Sequence, residues 1–315
     1  MSVLVPSHRR ADALQRCLMA LGAQSRLPDD IVVGVRTGDD ATVAVVDAAR
    51  AAGLPVRVAF TSTVGVIAAM QAALDASTGD IVALTDDDAR PRPDWIAGML
   101  AHFASADDIG GVGGRDWQPW ERGNATRVGI AQWFGRVIGN HHLGHGPARN
   151  VDILKGVNCA FRSELLRAVG FDARLRGAGA QMHWELGVCL PLRRAGWRLI
   201  YDPQVAVDHD LAPRHDADTI HRGIFAEAPL RDAVHNQTVG LFEGRGAVWR
   251  AMFLSWVLLI GTIEGPGLVQ CVRRMLHGDA MAVRAWRAAC LGRWAGAATA
   301  RHSPRQLHIP PPGGI

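Results

Sequence analysis

The sequence predicts an α/β fold: a mostly parallel sheet flanked by helices, with a helical extension at the C-terminal end. Three observations carry this. Apolar strand-like runs alternate with helix-like runs from Val3 to Leu84, the pattern of a parallel sheet covered on both faces. Polar residues cluster where three of those strands end. A hydrophobic share of 48% and 35 glycines in 315 residues exclude a disordered chain and allow a large core.

The elements follow in order. Val3–Val5 is a first strand, and Asp12 to Gln24 a helix with Ala13, Leu14, Cys17, Leu18 and Leu21 at helical spacing. Ile31–Val35 and Val56–Phe60 are the next strands, each followed by a helix, Ala41 to Ala52 and Val64 to Ala76. Ile81–Leu84 is a central strand leading straight into Asp86, Asp87 and Asp88. Trp95 to Phe103 is a helix. Residues 110–146 read as a glycine-rich loop with surface or satisfied histidines, although His141, His142 and His145 are also metal-ligand types. Asp152 to Arg162 is a buried strand running into a helix over Ser163–Val169. Leu186 to Ala195 is helical, and apolar runs around Leu199–Tyr201 and Val205–Val207 follow.

Charge and cysteine content narrow the function classes. The net charge is +4, and Lys155 is the only lysine among the 34 basic residues. No dense basic run with interleaved aromatics appears, so a nucleic-acid partner is not expected. Five cysteines without a CxxC pair disfavour a disulfide framework or a zinc site and suit a reducing cytosol. No charged and apolar leader precedes the first strand.

The acidic triplet is the strongest chemical signal. Three carboxylates at the mouth of a buried strand need a metal or solvent to compensate them; a solvated turn is one reading, and a cation site, where all-oxygen ligation suits Mg2+ or Mn2+, is the other. Open α/β sheets collect ligands at the carboxyl ends of their strands. Ser7-His8-Arg9, Arg36-Thr37-Gly38-Asp39 and the triplet all fall there. Glu185 opens a helix after His183 and Trp184; the helix terminus favours its charge and the tryptophan opposes it, a balance suited to a general base. His209, flanked by Asp208 and Asp210, is a candidate third metal ligand.

Taken together, Pro6-Ser7, the acidic loop after the second strand, Gly65, the triplet, Glu185 before Arg193-Arg194-Ala195-Gly196-Trp197, Tyr201-Asp202-Pro203 and His209 resemble family 2 glycosyltransferases. The likeness covers roughly the first 210 residues. It implies a GT-A, Rossmann-like fold and inverting transfer from a nucleotide diphosphate sugar to a hydroxyl of a lipid-linked or polysaccharide acceptor. By the same likeness, Asp86 and Asp88 end a DXD motif, and Asp86, Asp88 and His209 hold the cation. Pro6, Ser7, Arg9, Arg36, Asp39, Gly65, Asp86 and Asp87 line the nucleotide sugar. Glu185 is the base, and Arg115, Asp116, Asn158 and Trp184 lie on the acceptor side. Three departures stand out. Val35-Arg36-Thr37-Gly38 replaces the family's Asp-Asp-Gly-Ser, Ala69-Met70-Gln71 replaces Ala-Arg-Asn, and Trp184-Glu185 stands where the family has Glu-Asp.

The expected organisation is a catalytic domain over 1–210, with a nucleotide half (1–90) and an acceptor half (91–210), and a helical region over 211–315. Ala251 to Val272 is apolar apart from Glu264, and Gly265-Pro266-Gly267 would break a spanning helix. With arginines around it, residues 248–294 suit peripheral contact at the cytoplasmic face of the inner membrane, or else a buried core helix or a homodimer contact. The Pro-rich end from His308 is expected to fray. Two other classes share these features, a sugar nucleotidyltransferase and a non-catalytic sugar-nucleotide-binding scaffold at the membrane.

Overall fold

The computed structural model describes residues 1–210, 212 and 225–313. Strands β1 (Ser2–Ser7), β2 (Asp30–Arg36), β3 (Val56–Thr61) and β4 (Ile81–Leu84) form a parallel set in the order β3-β2-β1-β4. The sheet continues through β10 (Cys159–Arg162), antiparallel to both neighbours, then β6 (Ile109–Trp117), β11 (Arg198–His209) and β5 (Ala89–Pro91), with β9 (Arg149–Val151) also on β11, while β7 (Ile130–Ala131) and β8 (Val137–Ile138) pair separately. Because β10 runs against both β4 and β6, and β11 is parallel to β6, the carboxyl ends of β1, β2, β4, β6 and β11 share one edge.

Alternation along the strands builds two cores. Leu4, Val32, Val82 and Leu84 face α3 (Val66–Ala76), α5 (Ser163–Val169) and α6 (Trp184–Arg194). Val3, Val5, Ile31 and Val33 face α1 (Ala11–Gly22), α2 (Asp40–Ala51) and α4 (Trp95–Ser105). The period of two in strand side chains requires this split.

Three readings of the sequence are corrected, and the break expected at Gly265-Pro266-Gly267 is met. Residues 110–117, expected in a loop, belong to the buried strand β6, and its glycines are there because neighbours press on it: a Cβ on Gly114 would lie 1.7 Å from the Val205 carbonyl oxygen, and one on Gly111 2.8 Å from the Phe161 ring. The strand expected from Asp152 is confined to Cys159–Arg162; before it, Lys155–Asn158 is a turn closed by the Asn158 N–H on the Lys155 carbonyl, 2.9 Å. The apolar stretch 251–272 is two helices, α8 (Ala247–Leu259) and α9 (Leu268–Leu276), broken where glycines and Pro266 were expected to break it. The C-terminal segment is held, not frayed: the Trp197 indole donates to the Pro310 carbonyl at 2.7 Å, and Leu307 and Ile309 pack against the core.

The remaining helices form a layer on α6. Of the helical region expected over 211–315, residues 211 and 213–224 lie outside the described residues, and α7 runs Glu227–Phe242. It packs tightly on α10 (Ala282–His302), where Gly292 and Gly296 admit the α7 backbone.

Candidate active site

The shared strand edge gathers the chemistry. Asp86 and Asp88 follow β4, and His209 ends β11; one ligand atom from each lies within 4.8 Å of the others. Among the described residues this is the only such cluster of three. Asp88 and His209 are buried and Asp86 is half-buried. Two carboxylates and an imidazole at that spacing fit a hard or borderline cation such as Mg2+ or Mn2+.

Behind this face the charges are ordered. Arg10 forms a fork onto Asp87, with Nη2 2.5 Å from Oδ1 and Nε 3.1 Å from Oδ2, while its Nη1 reaches Asp88 at 2.9 Å. Burial pushes the Asp87 carboxyl up to about 7 despite Arg10, which lowers it. Burial also opposes the charge on Asp88, yet the His209 ring and the Arg10 guanidinium hold its carboxyl well below the usual range. His209 lies between two carboxylates, Nε2 3.4 Å from Asp88 and Nδ1 3.6 Å from Asp116. Burial would lower its pKa, but Asp116 and Asp88 outweigh burial and raise it to about 9. Asp116, fully buried at the end of β6, is in turn 2.5 Å from the Lys155 ammonium.

Glu185 is the second residue of α6, half-buried, and accepts the Gly156 N–H at 3.1 Å. Burial raises its carboxyl above the ordinary value; Gly156 and Lys155 work against that rise, and Asp86 adds to it. The turn that carries Lys155 and Gly156 thus touches both Asp116 and Glu185. The approach to α6 is conformationally unusual, with Gln181 (φ 43°) and His183 (φ 69°) left-handed and neither a glycine. The Gln181 carboxamide accepts the Ile67 N–H at 3.0 Å and lies against Gly65, where a Cβ would be 2.2 Å from its oxygen.

The other expected site residues divide into two groups. Pro6 and Ser7 end β1, Arg36 is exposed at the end of β2, and Arg9 is exposed in a left-handed conformation, all on the same edge. Asp39 is also there, but its carboxylate caps α2 through Thr42 and accepts the Arg9 N–H at 2.5 Å. The four residues expected on the acceptor side are placed as follows. Asn158 is fully buried and clamps the Trp95 indole and the Arg115 and Val205 carbonyls. Arg115 is buried, stacked 3.5 Å over Trp117 and bonded to the His142 carbonyl. Asp116 stands behind His209, and Trp184 is buried against Phe171. Arg10 was not singled out from the sequence; the signal available was a second arginine beside Arg9, facing a triplet that needed an internal counter-charge.

This sheet order, with an Asp-Asp-His cluster at the carboxyl edge and a glutamate at a helix start beside it, defines a GT-A type of α/β protein with a helical C-terminal part. The chain belongs to the family described as "Glycosyltransferase like family 2", whose profile matches residues 1–223. It is 30% identical over 230 residues to the pre-mycofactocin glycosyltransferase of Mycobacterium tuberculosis (strain H37Rv), covering 71% of this chain and 46% of that protein. It is 31% identical over 140 residues to the glucosyl-dolichyl phosphate glucuronosyltransferase of Haloferax volcanii, covering 42% and 44%. The chain thus spans less than half the length of these curated relatives. Among solved structures it resembles the mannosyltransferase PcManGT of Pyrobaculum calidifontis in complex with GDP-Man and Mn2+, with a TM-score of 0.58, 18% identity, and 96% and 87% of the two chains covered.

Proposed function

We propose that the protein transfers a sugar from a nucleotide diphosphate sugar to a hydroxyl of a glycan or lipid-linked acceptor, with inversion and with Mn2+ or Mg2+, at the cytoplasmic face of a membrane. The observation that carries this reading is the Asp86, Asp88 and His209 cluster on the edge where Ser7, Arg36 and Glu185 also converge. Asp86, Asp88 and His209 would hold the cation, which when bound supplies Lewis-acid stabilisation of the departing diphosphate.

The protein's own groups supply the rest. Ser7, Arg9, Arg36 and Gly65 flank the nucleotide side, and Arg10, at the start of α1, holds Asp87 and Asp88 in place. Glu185 takes the proton of the acceptor hydroxyl as that oxygen attacks the anomeric carbon opposite the diphosphate. Its raised pKa favours proton uptake, and the Gly156 N–H fixes its orientation. A single carboxylate suffices, since inversion in one displacement leaves no covalent enzyme intermediate.

The test is release of nucleoside diphosphate from a panel of sugar nucleotides, with Mn2+ or with chelator. Cation-dependent release that Glu185→Gln abolishes is the expected outcome. Pyrophosphate exchange in its place would identify a nucleotidyltransferase, and donor binding without turnover a scaffold.

A further inference from the structure

The outward faces of α8 and α9 are largely apolar. A surface helix ordinarily turns its charged side outward. In α8 the inward residues are Phe253 and Val257 with Trp249 and Trp256 beside them, while Val248, Ala251, Ser255, Leu258 and Leu259 are exposed without a single charge. In α9 only Cys271 is buried; Leu268, Val269, Val272, Met275 and Leu276 are all exposed and, at helical spacing, share one face. Ile260 and Ile263, in the turn between the helices, are exposed as well, Ile263 to 74%. That turn is fixed: the buried Arg293 of α10 donates to the Gly265 and Pro266 carbonyls. The apolar face is therefore part of the fold.

Charge says what covers it. Residues 245–302 carry eight arginines and two carboxylates, Glu264 and Asp279. Arg273, Arg287 and Arg301 are exposed and make no ion pair among the described residues, while Asp279 is taken by Arg274 at 2.7 Å. An isologous contact with a second copy would bring this arginine-rich rim against itself. An anionic bilayer matches both the apolar face and the rim. No described helix is long and apolar enough to cross a membrane, so the element lies on the surface. We propose that the α8–α9 hairpin is a monotopic docking element. It seats Leu259, Ile263, Leu268, Val272 and Leu276 at the headgroup–acyl boundary of an anionic lipid bilayer, with Arg273 and Arg287 among the phosphates. The proposal gives the membrane contact in the reading above its surface, but it is independent of sugar transfer.

The experiment is flotation of the whole chain with vesicles of phosphatidylcholine alone or with about a third phosphatidylglycerol. The protein should float with the anionic vesicles at least tenfold more than with the neutral ones. Leu259→Glu with Leu268→Glu and Leu276→Glu, and separately Arg273→Gln with Arg287→Gln, should each lower that binding tenfold or more. Since every one of these side chains is exposed, far-UV circular dichroism and nucleoside diphosphate release in detergent-free buffer should be unchanged. Wild-type protein that stays unbound with both vesicle types overturns the proposal. So does a triple variant that binds like wild type, or one whose only effect by light scattering is to split a dimer. Loss of donor turnover in wild type would count against the catalytic reading alone.

Discussion

Lys155, the only lysine in the chain, holds its ammonium 2.5 Å from the buried carboxylate of Asp116, which sits 3.6 Å from His209. The same turn donates the Gly156 N–H to Glu185. One short connection before β10 therefore steadies the imidazole of the candidate cation site and the candidate base together.

Lys155→Met should loosen the cation site without touching any of its three ligands. Groups that orient ligating side chains typically contribute 10- to 100-fold to metal affinity, and the weakening of Mn2+ binding should be of that order by isothermal titration calorimetry. Asp116 would be left buried and unpaired, at a cost of about 2 kcal/mol in urea denaturation once the partial exposure of the lysine is discounted.

The two acidic stations should separate in kinetics. Asp88→Asn is expected to remove cation binding, donor binding and turnover together. Glu185→Gln should leave donor binding within a few-fold of wild type while slowing turnover by roughly 10²- to 10⁴-fold, the usual contribution of a general base. Fluorescence titration with sugar nucleotide and a turnover assay, run on the same preparations, measure both.

His141 gives a pH signature in stability. Its Nε2 donates to the Ile153 carbonyl at 2.9 Å, and burial pushes its pKa down to about 4. The folded state thus prefers the neutral ring relative to an unfolded value near ~6.5. This contribution is fully present above about pH 6.5 and is lost as pH falls towards 4, amounting to about 3 kcal/mol at most. His141→Gln should be less stable at pH 7.5 but lose less on going to pH 4.5, as read from urea midpoints at the two values.

Gly114 tests the crowding of β6. Gly114→Ala would drive a Cβ into the Val205 carbonyl at 1.7 Å and should cost about 3 kcal/mol or prevent folding. Gly38→Ala, at φ +88° but with open space around it, should cost about 1 kcal/mol. Thermal melts of the two variants compare a collision with a conformational strain.

Local pattern made the first half of the fold legible. In β1 to β4 and α1 to α3 the apolar residues repeat at the periods of strand and helix, and each element is bounded by a turn signal. The triplet Asp86–Asp88 was legible for the same reason, since its position at a strand end depends only on neighbours in the chain. β6 was not, because Gly110, Gly111, Gly113 and Gly114 depress strand propensity and the reason for them lies in Trp197, Phe161, Asn158 and Val205, all distant in sequence.

The sequence by itself determined the alternating α/β order, the acidic strand end, the glutamate at a helix start and the break at Gly265-Pro266-Gly267, because each is a short-range pattern. Only the tertiary structure decided that Arg10 pairs with Asp87, that Asp116 stands between Lys155 and His209, and that α8 and α9 turn apolar faces outward. Ion pairs form between residues brought together by sheet order, and exposure depends on what the rest of the chain covers; neither is encoded in the spacing of neighbouring residues.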